Sequence, residues 1–141
     1  MLDMLKEKID NNHIFTHSYV KEHSVDTLLD MRDNKEFESE WMRVYNDLSE
    51  VEVDEHDYNE IDTICQKCFL KIYNLYASSE MAGCVSDDFE IICKAYLSGY
   101  DDIWLNSLIM AYIKGKFPCG NIEKTNNNIK TCIDILLNQG N

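Results

Sequence analysis

The scarcity of helix-breaking residues is the feature that most constrains the fold of this chain of 141 residues. Proline occurs once, at Pro118, and glycine five times. Apolar residues recur at spacings of three and four, whereas alternating, strand-like runs are short and rare. The pattern predicts an all-α fold: a bundle of about five to seven helices, with residues 1–141 forming a single domain.

Residues suited to helix ends divide the first half of the chain. Ser24 is the predicted N-cap of one helix, because its hydroxyl can accept hydrogen bonds from the amides of the opening turn. A break near Asp33-Asn34 separates this helix from a second one that ends near Leu48. These signals predict two consecutive helices.

The most regular apolar stripe covers residues 61–76 and predicts a helix of some four turns. Its start is predicted near Asp57 or Asn59, where an acid or amide side chain can cap the helix. In residues 49–58 valines alternate with acids, which is compatible with a loop or with a short edge strand.

Three more helices are predicted towards the C-terminus. Residues 86–90 are typical of a helix N-terminus, and Gly99 of the C-terminus of the same helix. Asp101-Asp102 begins a second short helix that Gly115 closes, and the two are expected to form a hairpin. The last helix is predicted over residues 122–137.

The charge of the chain is strongly negative, at −13, and its acids are concentrated. Between Val44 and Gln66 there are eight carboxylates and no lysine or arginine. Repulsion within such a run opposes folding, whereas its field suits a positively charged partner. The predicted site for binding a basic protein therefore consists of these acids and the tyrosine among them: Asp47, Glu50, Glu52, Asp54, Glu55, Asp57, Tyr58, Glu60 and Asp62.

Several partners and compartments are disfavoured by the composition. DNA, RNA and anionic membranes need clustered lysine and arginine, which the chain lacks. No apolar stretch approaches the ~18–20 residues of a membrane span, and the N-terminus lacks the apolar core of a signal peptide. We therefore expect a cytoplasmic protein whose six cysteines are buried thiols.

No catalytic constellation is visible. Cys65 and Cys68 have the CxxC spacing of zinc and redox sites, but no second pair completes a zinc site and the pair lies within a helical stripe. His13 and His17 lie four residues apart without the glutamate of a zincin motif. The sequence predicts a protein that is not an enzyme, with no catalytic residue, metal or cofactor.

Three aromatic residues near predicted helix starts are open to two interpretations. Tyr58, Tyr100 and Trp104 adjoin acids, so they are candidate anchors in a surface aimed at a basic protein. Aromatic residues at helical spacing more often pack in the core. Both interpretations remain open at the level of the sequence.

In size, acidity and the segment 86–118, the chain resembles small bacterial immunity proteins, in particular those paired with contact-dependent growth-inhibition toxins. The residues that carry the resemblance are Ser86-Asp87-Asp88-Phe89-Glu90, the run from Gly99 to Asn106, and Gly115-Lys116-Phe117-Pro118. The resemblance implies an antitoxin that binds one basic nuclease toxin domain and blocks its active site or its nucleic-acid-binding groove. Because these proteins differ in fold and binding surface, it assigns no functional residue.

A second hypothesis is a small helical adaptor, or a virus-encoded modulator, that binds a host protein through an apolar groove. An exposed apolar groove would favour this hypothesis, and an acidic face would favour an immunity protein. The oligomeric state and the identity of the partner are left open by the sequence.

Overall fold

A computed structural model describes residues 1–140 of the chain. Within these residues the protein forms seven α-helices and no strand, which confirms the predicted all-α fold. The helices are α1 (Leu2–Asp10), α2 (Val25–Arg32), α3 (Lys35–Ser49), α4 (Glu55–Tyr76), α5 (Ser79–Ser98), α6 (Ile103–Ile113) and α7 (Ile129–Leu137). One continuous hydrophobic core includes residues of all seven. None of these helices is long and apolar enough to cross a membrane.

Local capping chemistry sets the helix ends that the sequence predicted well. The Ser24 hydroxyl accepts a hydrogen bond from the Thr27 amide at 3.2 Å and begins α2. Asn34 caps α3 directly after the predicted break. Gly99 ends α5 in the left-handed conformation, with φ at 75°, and Asp102 caps α6 by accepting from the Leu105 amide at 2.9 Å.

The acidic stretch before α4 is a loop, and the alternative of a short edge strand is wrong. Residues 51–54 are irregular, and α4 begins at Glu55, slightly before the predicted start. The reason is the Asp54 carboxylate, which accepts a hydrogen bond from the Asp57 amide at 2.8 Å and satisfies a donor that the first turn leaves unpaired.

We expect Asp54→Ala to lower the free energy of unfolding by about 1 kcal/mol, because the cap hydrogen bond is lost. Asp54→Asn is the matched control: it removes the same charge but keeps a capping oxygen, so its stability should stay close to that of the wild type. Urea unfolding of both variants checks this. Equal midpoints for the alanine and asparagine variants would show that the cap contributes nothing.

The long antiparallel hairpin of the fold consists of α4 and α5, joined at Ala77 and Ser78. The prediction of a hairpin between two short helices at Gly99 is wrong, because α5 has 20 residues and packs along α4. The predicted helix start at residues 86–90 is wrong as well, since α5 begins at Ser79. Asp88 does not cap a helix but lies buried in the middle of one.

The last helix is shorter than predicted and begins at Ile129 rather than near Ile122. The three asparagines directly before Ile129 explain the difference, because asparagine favours caps and turns over helix interiors. Asn128 accepts a hydrogen bond from the Thr131 amide at 2.8 Å and caps α7. The segment before it is held against α6, where the Thr125 amide donates to the Ser107 hydroxyl at 3.1 Å.

A buried carboxylate links four helices. Asp88 on α5 is 0% exposed and receives a bidentate ion pair from Arg32 on α2. The indole of Trp41 on α3 donates to it at 2.8 Å, and the hydroxyl of Tyr112 on α6 at 2.6 Å. The Arg32 guanidinium also donates to the Pro118 carbonyl at 3.1 Å. Burial is tolerated because both oxygens accept from strong donors.

Candidate functional site

The predicted acidic residues lie on one continuous stretch of backbone in the structure. Asp47 and Glu50 are at the end of α3, Glu52 and Asp54 are in the loop, and the remaining four are in the first half of α4. Most of them are exposed, and Asp57 and Glu60 are half-buried. The stretch is therefore a surface, and its acids differ in how strongly the rest of the protein holds them.

Two of the acids meet cations that lie outside the acidic run. Glu60 forms an ion pair with Lys6 of α1. Asp47 lies 4.0 Å from the Arg43 guanidinium and accepts a hydrogen bond from the Tyr100 hydroxyl at 2.7 Å. The acidic run is thus partly neutralised, by a tertiary contact at Glu60 and by a longer contact within α3 at Asp47, and these two carboxylates contribute less to the external field.

Asp54 and Asp57 have a role in the fold. Asp54 is the cap of α4, and Asp57 lies in its first turn together with Glu55. Negative charge at this position interacts favourably with the positive end of the helix dipole. The fold therefore supplies a structural reason for part of the acidic run.

The other four acids project into solvent. Glu50, Glu52 and Glu55 are exposed and form no ion pair among the residues that the structure describes. Asp62 is also exposed and accepts a hydrogen bond from the Gln66 amide group at 3.0 Å. We define these four residues as the exposed acids; they are the strongest candidates for contacting a basic partner.

The α4–α5 hairpin adds two acids to this surface that were not predicted from the sequence. Asp87 and Glu90 of α5 line a cleft together with Tyr58 and Asp62 of α4. Partial burial, and then the neighbouring carboxylates of Asp88 and Glu90, raise the pKa of Asp87. Glu90 lies 3.6 Å from Lys94, so Asp87 is the main addition. Asp87 lies close to Tyr58 and Asp62 because of the way α4 and α5 align in the hairpin, which the sequence alone does not show.

The three aromatic candidates differ in how far their side chains are exposed. Tyr58 is 56% exposed beside the acids and retains the role of a candidate anchor. Trp104 is half-buried against Phe37, with ring centroids 5.2 Å apart, and belongs to the edge of the core. Tyr100 is half-buried, and burial together with its hydrogen bond to Asp47 raises its pKa to about 12.

All six cysteines are free thiols. Cys68, Cys93 and Cys132 are buried, and the other three are half-buried. Burial is the main cause that raises the pKa of each of the six, and nearby acids such as Glu90 help to raise that of Cys65 to about 12. The Cys65–Cys68 pair therefore presents two protonated side chains packed along α4. Within residues 1–140 no three histidine, cysteine or acidic side chains cluster as metal ligands.

We expect the thiols of the native protein to react with a disulfide reagent at pH 8 at least roughly ten-fold more slowly than in denaturant, because the thiolate is the reacting form. Stopped-flow absorbance of native and unfolded protein measures both rates. A native thiol that reacts as fast as free cysteine would contradict the raised pKa values.

Comparison with known proteins gives one family. The sequence model of the family described as Immunity protein PIM1 matches residues 4–119, which is most of the chain. The matched part runs from α1 through α6 and includes the acidic loop and all of α4 and α5. No curated protein matches the chain significantly.

Proposed function

Because this chain belongs to the Immunity protein PIM1 family, we propose that it is an antitoxin that binds a basic nuclease toxin domain and blocks its active site or nucleic-acid-binding groove. Membership of the family makes it an immunity protein, and an immunity protein has a cognate toxin as its partner. Our proposal adds that the toxin is a nuclease and that this protein inhibits it by blocking the active site or the nucleic-acid-binding groove.

The exposed acids carry the proposal. Glu50, Glu52 and Glu55 project from the loop and the start of α4 without an ion-pair partner among the described residues, and Asp62 follows them on the same helix. A nuclease has to hold a polyanion and therefore presents clustered lysine and arginine. Carboxylates facing that groove would accelerate association and occupy the positions of phosphates.

Inhibition by occlusion agrees with the chemistry of the side chains. The thiols are held in the protonated form by burial, so they are poor nucleophiles. The most elaborate polar cluster, around Asp88, is buried and uses both carboxylate oxygens for contacts within the fold. We therefore propose a binding protein that performs no chemistry on the toxin.

The free thiols also support a reducing compartment, and we propose that the protein acts in the cytoplasm. Delivery of the toxin by cell contact stays a prediction from the sequence resemblance. The adaptor hypothesis has weaker support, since the family match is to an immunity protein.

Co-expression tests the proposal. We expect the cognate toxin domain to be encoded by the preceding gene, and that domain is the probe. We expect this domain to degrade nucleic acid and arrest growth when expressed alone, and to be harmless when this protein is present. The purified proteins should form a complex in which the nuclease is inactive. Growth arrest that this protein does not relieve, or a toxin without nuclease activity, would overturn the proposal.

A further inference from the structure

The outer side of α4 is apolar in its second half. Helix positions three and four apart share a face, so residues 58, 62, 66, 69, 70 and 73 lie along one side. The opposite side packs in the core through Ile61, Ile64, Cys68 and Ile72. On the outer side, Leu70 is 60% exposed and Tyr73 46%. We define Tyr58, Asp62, Gln66, Phe69, Leu70 and Tyr73 as the outer face of α4.

Exposed apolar residues are concentrated on this helix. Of eleven large hydrophobic side chains that are exposed in the described residues, four are on α4: Tyr58, Leu70, Tyr73 and Leu75. The rings of Phe69 and Tyr73 are stacked at 6.3 Å with 5° between their planes. Phe69 is partly buried against the core, so the ring on which Tyr73 stacks is held in place, and this reduces the side-chain entropy that binding would remove.

The charged groups along the outer face differ between its two halves. Lys67 and Lys71 line a cleft together with Leu70 at the border of the second half. Lys67 pairs with Asp10 at 2.9 Å and Lys71 donates to Asn12, so both lysines are held towards the end of α1. The charged groups at its first half are Asp62 and, across the cleft, Asp87. A partner that lies along the whole face therefore meets acids at one end and apolar side chains at the other.

We propose that the outer face of α4 is the docking surface for the toxin domain, with Leu70 and Tyr73 as the apolar anchors that slow its dissociation. This inference rests on the proposed function and extends the site beyond the acids. Charge complementarity selects a basic partner, and interface cores are enriched in tyrosine and other aromatic residues. The acids determine how fast the complex forms, and the anchors how long it lasts.

The test is the dissociation rate of the toxin domain encoded by the preceding gene, measured by surface plasmon resonance. We expect Leu70→Ala combined with Tyr73→Ala to accelerate dissociation by roughly a hundred-fold, since truncation of each anchor typically weakens binding about ten-fold or more. The association rate should change less than about two-fold, because no charge is removed.

Ile103→Ala is the matched control, because Ile103 is 63% exposed but lies on α6. It should dissociate at the wild-type rate, and urea unfolding should show that both variants remain folded. If the wild type binds and the double variant dissociates at the same rate, the proposal that the outer face of α4 is the docking surface is wrong, and the proposed function stays intact. Absence of binding by the wild type would overturn both.

Discussion

Asp88→Asn is expected to lower the free energy of unfolding by about 3–5 kcal/mol, the usual effect of breaking a buried ion pair on one side. The asparagine has nearly the same shape, but it leaves the Arg32 guanidinium, whose side chain is only 10% exposed, without its counter-charge. It also weakens the acceptor for Trp41 and Tyr112. Urea unfolding followed by circular dichroism measures the change.

The neighbouring residue gives a matched control. Asp87→Asn makes the same chemical change one position away at a side chain that is open to solvent. It should not lower the free energy of unfolding, because the raised pKa of Asp87 means that the fold disfavours its charge. The pair Arg32→Met and Asp88→Leu removes both charges, and should be more stable than Asp88→Asn alone because no buried charge is left uncompensated. Equal unfolding midpoints for the Asp87 and Asp88 variants would contradict the role of the buried carboxylate.

Neutralising Glu50, Glu52 and Glu55 together, each to glutamine, is expected to slow association with the toxin domain by about ten-fold or more at low ionic strength. Asp54 and Asp57 are left unchanged, because Asp54 caps α4 and a loss of stability would confuse the result. The wild-type association rate should fall steeply as salt is added, and that of the variant should fall less.

The control for this variant removes the same charge elsewhere. Asp30, Glu38 and Asp134 are exposed on three different helices, and their neutralisation leaves the total charge equal to that of the test variant. It should have a much smaller effect on association. Equal slowing of both variants would indicate that net charge, rather than the acidic surface, governs the encounter.

Features determined by neighbouring residues were predictable from the sequence. The caps at Ser24 and Asp102 and the left-handed Gly99 depend on contacts within three residues or on a single backbone angle. The all-α fold followed in the same way from the spacing of apolar residues. These signals are local, so no tertiary information was needed to recognise them.

Asp88 shows what a local pattern cannot distinguish. A serine followed by two aspartates is typical of a helix start. It is also compatible with a helix interior when other helices supply hydrogen-bond donors to the buried carboxylate. Here those donors come from Arg32 and Trp41, which lie 56 and 47 residues away in the sequence. Contacts between residues distant in sequence also alter the candidate acidic surface. Lys6 neutralises Glu60, and the α4–α5 hairpin brings Asp87 next to Tyr58.

Carboxyl footprinting of the complex shows whether the exposed acids contact the toxin domain. Exposed carboxylates are coupled to an amine by a carbodiimide, with and without the toxin domain, and each modified residue is quantified by mass spectrometry. We expect strong protection of Glu50, Glu52, Glu55 and Asp62 on binding, with unchanged labelling of Asp134 on α7. Unchanged labelling of these four acids in a complex that protects carboxylates on another face would contradict this expectation.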